Sequence, residues 1–318
     1  MNADFEVELA APAGAYRRAP RFDALNRRLA PHLLRLARPG DALLFDESWP
    51  EPVRAEAQRR DVELVAPAEP GDQGARIFTP WGWTHGAAAA GVRAGALVHP
   101  LPFDVVARVN SKLWSHALEV ELGTTLPGAA LAASFEELCE AVARACPRPD
   151  DKWVVKSPYG FAARDRVLGR GPLIEEPQAR WSRRRLSLSE TLIFQPWLAV
   201  VREYGVVMEI AADGSTDIHG VSDLQTNGAG TGTGYLLGRP PGAGRLGELE
   251  RVAAFVGARL FAEGYSGPVG VDAVEHAGGL HPLLEINARY TMGFVALAAE
   301  RDLRPKGPTF WSTKQSFV

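Results

Sequence analysis

The stretch GPVGVDAVEHAGGLHPLLEINARYTMG, residues 267–293, decides the fold of this protein. Two strand-like runs flank the turn sequence at 276–279, which predicts a β-hairpin centred between Gly278 and Gly279. With that centre, Asp272 lies opposite Glu285 and Gly270 lies opposite Asn287. Side chains alternate along a strand, so these four residues share one face of the hairpin. The opposite face is expected to face the core and carries Val271, Ala273, Leu284 and Ile286.

The shared face of this hairpin predicts a metal site. Two carboxylates directly opposite each other destabilise a sheet unless a cation lies between them. Asp272, Glu285 and Asn287 offer the oxygen ligands that Mg²⁺ prefers, with Mn²⁺ as second choice. A solvated face with incidental acids is the alternative, because exposed acids are common. Arg289, just after the second strand, is placed to meet a phosphate or a developing oxyanion.

Two lysines lie upstream of the hairpin. In WVVKSPYGFAARDRVLGRG, residues 153–171, Lys156 ends an apolar strand and a loop containing glycine follows from 157 to 171. By itself, a lysine at a strand end usually keeps its ammonium in water. Lys112 lies in the predicted helical segment VNSKLWSHALEVELG, where an exposed helical lysine is an equal alternative to a functional one.

Taken together, these motifs resemble the ATP-grasp superfamily, over roughly residues 105–300. Enzymes of that superfamily hold ATP between two α/β subdomains. They bind magnesium through an Asp and a Glu-x-Asn on paired strands, which Asp272 and 285–287 match. Asn-Ala-Arg at 287–289 looks like the Asn-Pro-Arg of the carbamoyl phosphate synthetase and purine-biosynthesis branches. The resemblance implies that Lys112 and Lys156 contact phosphate.

The resemblance also implies a nucleotide hinge in IFQPWLAVVREYGVV, residues 193–207. Gln195 stands where the family has an acid or glutamine, and Trp197 and Leu198 provide the apolar run beside adenine. Glu203, eight residues after Gln195, takes the place of the ribose-binding acid. Its alternative is an ordinary surface acid.

The segment HGVSDLQTNGAGTGTGY, residues 219–235, is rich in glycine and small polar residues and is typical of a surface loop. In the superfamily this region often shapes the acceptor pocket, which makes Asp223, Gln225 and Asn227 candidate substrate residues. Gly270 stands where D-alanine–D-alanine ligases carry an arginine that stabilises the tetrahedral intermediate. This departure places more weight on Arg289.

The expected fold class is α/β (α+β), an ATP-grasp fold preceded by a small Rossmann-like domain. The first part of the chain reads as strand, helix and strand in 41–48, 51–60 and 62–67, which predicts a parallel β-α-β unit. We therefore predict a pre-ATP-grasp domain over 1–105 and a central subdomain with the phosphate loop over 106–190. The C-terminal subdomain, with the hinge and metal site, is predicted over 191–318.

Composition sets the class of protein and its expected partners. The 318 residues are 46% hydrophobic and 23% charged, which is typical of globular proteins. The formal net charge of −3 argues against a general nucleic-acid binder, and no apolar run is long enough to span a membrane. Two cysteines provide no disulfide framework, and no signal-peptide pattern precedes the first domain, so a cytoplasmic protein is expected.

These features predict an ATP- and Mg²⁺-dependent ligase that joins a carboxylate to an amine through an acylphosphate, with Lys156 and Arg289 as catalytic residues. The expected partners are small-molecule or peptide carboxylates and amines, and homodimers are common in the superfamily. A kinase of the same fold that phosphorylates a hydroxyl, or a non-catalytic nucleotide-binding module, is the alternative. The arginine-rich segment 180–185, whose default interpretation is a solvated loop, and the C-terminal tail receive no role.

Overall fold

The computed structural model describes residues 1–12, 14–44, 49–66, 76–160 and 165–314. Within these ranges the chain forms three separate sheets of two, four and six strands. Parts of three predicted features, the strands at 41–48 and 62–67 and the phosphate loop at 157–171, fall on residues 45–48, 67 and 161–164 and so lie outside the described residues. Across the described ranges, no helix is both long and apolar enough to cross a membrane.

The two-stranded sheet belongs to the N-terminal part of the chain. Its strands pair in parallel with a helix between them, which confirms the predicted β-α-β unit. A core that includes Leu34, Trp49 and Val53 supports this unit. The elements in order are α1 (Phe5–Leu9), α2 (Pro20–Leu29), a 3₁₀ helix (Ala30–Arg35), β1 (Ala42–Leu44), α3 (Glu51–Arg59), β2 (Glu63–Val65) and α4 (His85–Arg93).

The four-stranded sheet is antiparallel and has the strand order β3-β6-β4-β5. Its core packs Trp153, Val155 and Phe194 against two helices. One of these helices begins with a capping box between Ser134 and Glu137, which stabilises its first turn. The elements are α5 (Phe103–Val109), α6 (Lys112–Leu122), β3 (Ala130–Ala132), α7 (Phe135–Ala145), β4 (Lys152–Lys156), β5 (Arg166–Arg170), α8 (Glu176–Leu186) and β6 (Leu192–Pro196).

The six-stranded sheet is also antiparallel and has the order β11-β10-β7-β8-β9-β12. Leu249, Val252, Val256 and Leu260 recur along one face of α9 and pack on one side of the sheet. The elements are β7 (Val200–Ile210), β8 (Thr216–Thr226), β9 (Gly232–Leu237), α9 (Ala243–Ala262), β10 (Gly267–His276), β11 (Gly279–Asn287), α10 (Met292–Leu303) and β12 (Thr309–Trp311).

The chain passes from the four-stranded sheet to the six-stranded sheet after β6. Strand β6 pairs with β3 and β4, so the break between the two larger sheets lies between Pro196 and Val200, after the predicted boundary at 190/191. Helices α5 and α6, in the predicted pre-ATP-grasp and central segments, contribute Val105, Val109 and Leu118 to the core of the six-stranded sheet.

Two segments interpreted as loops form regular structure. Residues 219–235 belong largely to β8 and β9, inside the six-stranded sheet, and residues 180–185 lie in α8. Neighbouring strands supply the backbone hydrogen bonds for β8, so its small polar side chains do not prevent strand formation. In α8, Arg183 packs over Phe135 while Arg185 pairs with Asp165 and Glu190.

Candidate nucleotide and metal site

The hairpin of β10 and β11 has the predicted pairing at its functional end. Asp272 lies opposite Glu285, and Gly270 lies opposite Asn287. At the turn, the strand pairing is shifted by two residues from the prediction, because His276 pairs with Gly279 and residues 277–278 connect the strands. A register shift between Asp272 and Val274 restores the predicted pairing. Because of this shift, Leu283 is buried in the core in place of the predicted Leu284, which is only partly buried.

The two carboxylates of this pair have different surroundings. Glu285 Oε1 accepts a hydrogen bond from Lys112 Nζ at 2.7 Å, whereas Asp272 Oδ2 accepts one from Asn287 Nδ2 at 3.1 Å. Burial and the neighbouring Glu285 raise the pKa of Asp272 to about 7. Burial also opposes ionisation of Glu285, but Lys112 and Lys156 outweigh it and hold the pKa of Glu285 below its usual value.

The donor chemistry of this face fits Mg²⁺, although the protein supplies only part of a coordination shell. No group of three or more His, Cys, Asp or Glu side chains in the described ranges is arranged to hold a metal. Mg²⁺ commonly binds one or two protein carboxylates and completes its shell with water and substrate phosphates. The pair Asp272 and Glu285, with the Asn287 amide beside it, matches that pattern.

Two lysines face the carboxylates from separate elements. Lys112 is the first residue of α6, and the N-cap residue Ser111 accepts a hydrogen bond from the Leu113 amide. The Lys112 Nζ also donates to the Gly160 carbonyl at 2.8 Å. Lys156 ends β4, and its Nζ donates to Gln195 Oε1 at 2.7 Å. Burial, only partly offset by Glu285, lowers the pKa of Lys156 to about 8. The structure thus joins phosphate-loop and hinge residues that are 39 positions apart.

The predicted hinge lies where β6 leaves the four-stranded sheet. Gln195 is buried and pairs with Val154, and the Trp197 amide still donates to the Lys152 carbonyl at 2.8 Å. Leu198 is partly buried beyond this last bond, before the chain enters β7. The backbone around Leu198 is therefore outside the sheet pairing, as a hinge that reads an adenine edge requires.

Glu203 lies on the same face of the six-stranded sheet as the carboxylate pair. It is opposite Val274, and Gly205, two residues later, is opposite Asp272. Thr226 Oγ1 donates to Glu203 Oε1 at 2.6 Å, and burial raises the pKa of Glu203. The predicted ribose acid and the predicted metal ligands therefore share one surface.

Arg289 joins the N-terminal part of the chain to this site. Its guanidinium donates to Glu6 Oε1, with the Nε distance at 2.7 Å, and to Asn287 Oδ1 at 3.0 Å. The ring of Phe5 lies below the guanidinium, with 5.6 Å between the Arg289 Cζ and the ring centroid. Sequence reasoning missed Glu6, because nothing near Glu6 in the chain marks a partner 283 positions away.

The candidate substrate residues do not converge on the carboxylate pair. Asp223 is opposite Tyr204, so its side chain lies on the sheet face away from Asp272. There it accepts hydrogen bonds from Arg202 Nε at 2.8 Å and from Gln225 Nε2 at 2.7 Å. Asn227 is exposed, and its side chain closes the turn after β8 by accepting from the Ala229 and Thr231 amides.

A buried polar pair behind the site was also missed. Glu119 and His281 are about 1–2% exposed, and Glu119 Oε2 lies 3.7 Å from His281 Nε2. Burial raises the pKa of Glu119 to about 8 and lowers that of His281 to about 4. Both groups are therefore expected to be neutral at pH 7. Glu119 is one of two acids in α6, and nothing in the local sequence distinguishes it as the buried one.

Comparison with known proteins identifies the fold. No protein-family model matches the sequence, and no curated protein matches it significantly. Solved structures do match. D-alanyl-alanine synthetase A from Vibrio cholerae superposes with a TM-score of 0.52 at 12% identity, over 84% of this chain and 93% of that chain. This chain has the ATP-grasp fold.

Two further ATP-grasp structures give the same result. N5-carboxyaminoimidazole ribonucleotide synthetase from Thermus thermophilus has a TM-score of 0.51 at 19% identity, over 85% of this chain and 70% of that chain. The biotin carboxylase domain of 2-oxoglutarate carboxylase from Hydrogenobacter thermophilus, in complex with MgADP, ADP and bicarbonate, has a TM-score of 0.54 at 12% identity. That match covers 83% of this chain and 61% of that chain. The expected ATP-grasp fold class is confirmed.

Proposed function

We propose that this protein is an ATP- and Mg²⁺-dependent ligase that joins a carboxylate to an amine through an acylphosphate, releasing ADP and phosphate. The observation that carries the proposal is the Asp272–Glu285 pair facing Lys112 and Lys156. Opposed anionic and cationic groups of this kind suit a metal-bound polyphosphate. The structurally similar synthetase and carboxylase, one of them in complex with MgADP, support the same class of chemistry.

The nucleotide would lie along the surface that these residues share. Trp197 and Leu198 would contact adenine, Gln195 would orient Lys156 beside the base, and Glu203 would accept the ribose hydroxyls. Lys112 and Lys156 would neutralise charge on the phosphates. Asp272, Glu285 and Asn287 would hold Mg²⁺, or Mn²⁺ in its place, which supplies charge neutralisation at the phosphate oxygens when bound.

The reaction would proceed in two transfers. In the first, a carboxylate oxygen of the substrate attacks the γ-phosphorus, and the bond to the β–γ bridging oxygen breaks to give an acylphosphate and ADP. In the second, an amine attacks the acyl carbon, and phosphate leaves as the nitrogen loses its proton. Lys156 would stabilise the phosphoryl group during transfer, and Arg289 would stabilise the oxyanion of the second step.

The carboxylate and amine substrates are proposed as small molecules or peptides. No role is proposed for Asp223, Gln225 and Asn227, because their side chains serve the sheet and its turn instead of the shared surface. The cytoplasmic location, the homodimer and the division into 1–105, 106–190 and 191–318 stay predictions.

The proposal is tested by ³¹P NMR of Mg-ATP incubated with the protein and pools of carboxylates and amines. The expected result is ADP and free phosphate whose appearance depends on both a carboxylate and an amine. A new phosphoester without free phosphate would replace the ligase with a kinase. AMP and pyrophosphate would rule out the acylphosphate route.

The variant Arg289→Ala tests whether Arg289 acts in ligation and not in nucleotide binding. We expect overall ligation to fall about 100-fold, as for loss of a group that stabilises an oxyanion, while ADP affinity stays within about twofold. Calorimetry and the ³¹P assay measure the two quantities on the same preparation. Arg301→Ala, an exposed arginine of α10, is the matched control. Unchanged ligation by Arg289→Ala would remove Arg289 from the mechanism.

A further inference from the structure

A second like-charge pair lies in the four-stranded sheet. Lys156, at the end of β4, is directly opposite Arg166, the first residue of β5. Residues opposite each other in a sheet point to the same face, and like charges in such a pair destabilise it. Lys156 is also close enough to Lys112 and Arg166 for both to disfavour its charged form. An anion between Lys156 and Arg166 would remove this repulsion.

Arg166 reaches from the phosphate loop towards the other groups of the site. Its guanidinium carbon lies 5.7 Å from the centroid of the Trp197 ring, and Nη2 donates to the carbonyl of Ala229. Glu285 and Glu203 attract the guanidinium, although burial lowers the pKa of Arg166 overall. The side chain therefore lies among the predicted hinge, the predicted ribose acid and one predicted metal ligand.

The same two strands contain another cationic pair, which can be compared with Lys156 and Arg166. Lys152 is opposite Arg170 at the other end of β4 and β5, so this pair has the same charges, strands and sheet face. Both of these residues are exposed, and water and salt screen their repulsion. The inner pair has its side chains at the hinge, where Lys156 donates to Gln195 and Arg166 lies over Trp197.

We propose that Lys156 and Arg166 together form a subsite for the polyphosphate of the nucleotide, with the Arg166 guanidinium contacting phosphate oxygens. The inference rests on the proposed function, which it extends to the side chain of Arg166, a residue of the phosphate loop that has no role in the proposal above. A guanidinium presents several N–H donors in one plane and matches phosphate oxygens in pairs. Trp197 below that plane would hold its orientation.

Isothermal titration calorimetry with ADP, tripolyphosphate and adenosine tests the subsite. For Arg166→Ala we expect about a 10- to 100-fold loss of affinity for ADP and tripolyphosphate, the usual effect of removing a charged hydrogen bond. Adenosine affinity should not change. Arg166→Lys should retain part of the lost affinity because it keeps the charge. Arg170→Ala, the matched control, should bind all three as the unchanged protein does.

Each other outcome identifies what is wrong. If the unchanged protein binds ADP and Arg166→Ala binds it equally well, the subsite is overturned but the proposed function is not. An equal loss for adenosine would mean that Arg166 acts on binding through the base or through Trp197, and it would overturn the subsite. If Arg166→Lys binds ADP as weakly as Arg166→Ala, the loss is due to the hydrogen bond from Arg166 to the Ala229 carbonyl, and the subsite is overturned. Failure of the unchanged protein to bind ADP would overturn the proposed function and the subsite with it. Thermal melting of each variant shows that it is folded.

Discussion

The two larger sheets each place two like charges opposite each other, but they do so in different ways. The carboxylates Asp272 and Glu285 lie in one hairpin, 13 residues apart in the chain, in the six-stranded sheet. The cations Lys156 and Arg166 lie opposite each other on the adjacent strands β4 and β5 of the four-stranded sheet. Both arrangements cost stability, and the proposed nucleotide phosphates and metal ion would relieve both.

The two pairs also differ in how far they are already neutralised. Glu285 is paired with Lys112, whereas Asp272 has only the neutral Asn287 amide as a hydrogen-bond partner among the described residues. On the cationic side, Lys156 donates to the neutral Gln195 and Arg166 to a backbone carbonyl. Each side of the site thus keeps charge that no opposite side chain neutralises at hydrogen-bond distance within the described ranges. This difference supports the proposal that the site binds ionic ligands.

The carboxylate pair should show the largest effect. Asp272→Asn is expected to lower Mg²⁺-dependent turnover by about 100- to 1,000-fold, because it removes a charged metal ligand next to the reacting phosphate. The measurement is the ³¹P assay together with ADP affinity at several Mg²⁺ concentrations. Asp217→Asn, an exposed acid of β8, is the control and should have no effect. If Mg²⁺ still improves ADP affinity in Asp272→Asn as much as before, the metal assignment is wrong.

The cationic pair should show a smaller effect, seen in binding. Lys156→Met is expected to weaken ADP binding by about 10- to 100-fold, because a buried ammonium that faces phosphate is lost. Lys152→Met, on the same strand and the same face but exposed, should bind ADP as before. Calorimetry measures both variants. Equal losses would show that general electrostatic attraction, and not a defined site, binds the nucleotide.

A pH series distinguishes the two pairs without mutation. The pKa of Lys156 is lowered from 10.5 to about 8 in the folded protein, so its positive charge is lost as pH rises through 8. ADP affinity at saturating Mg²⁺ should therefore fall by up to about tenfold between pH 7 and pH 9. In Lys156→Met the affinity should stay flat over this range. A wild-type affinity that rises with pH would contradict a charged Lys156 at the phosphate.

The smallest effect concerns stability without ligand. Asp272 is charged in the folded state only above about pH 7, so it destabilises the metal-free protein there. Asp272→Asn should raise the melting temperature at pH 8 by about 2–4 °C, or about 1 kcal/mol. The gain should shrink as pH falls from 7 towards 4, because the folded wild-type protein then keeps Asp272 neutral. Calorimetry in EDTA measures it, and a lower melting temperature would show that Asp272 is stabilised without metal.

The hairpin shows how much the sequence can predict. Alternation along β10 and β11 placed Asp272, Glu285 and Asn287 correctly on one face, because a strand has a side-chain period of two. The turn position was wrong. A bulge has no clear sequence signal here, and it exchanged Leu284 for Leu283 in the core.

Other parts of the site depended on contacts between distant segments. Strand β8 was interpreted as a loop because its small polar residues resemble a turn-rich segment, and its neighbours β7 and β9 provide the pairing that makes it a strand. The superfamily resemblance, and not the loop interpretation, made Asp223 and Gln225 substrate candidates. Their side chains lie on the far face of β8, a property that exists only once the register is known.

The sequence by itself located the strands, turns and charged residues of the motifs, and the resemblance of these motifs to the ATP-grasp superfamily indicated the fold class. The tertiary structure decided which groups meet: Glu6 with Arg289, Arg166 with Trp197, and Lys112 with Glu285. These pairs are 283, 31 and 173 positions apart, and no local periodicity links their positions. These contacts form only when apolar side chains from distant parts of the chain are buried in the cores, because this burial brings the distant segments together.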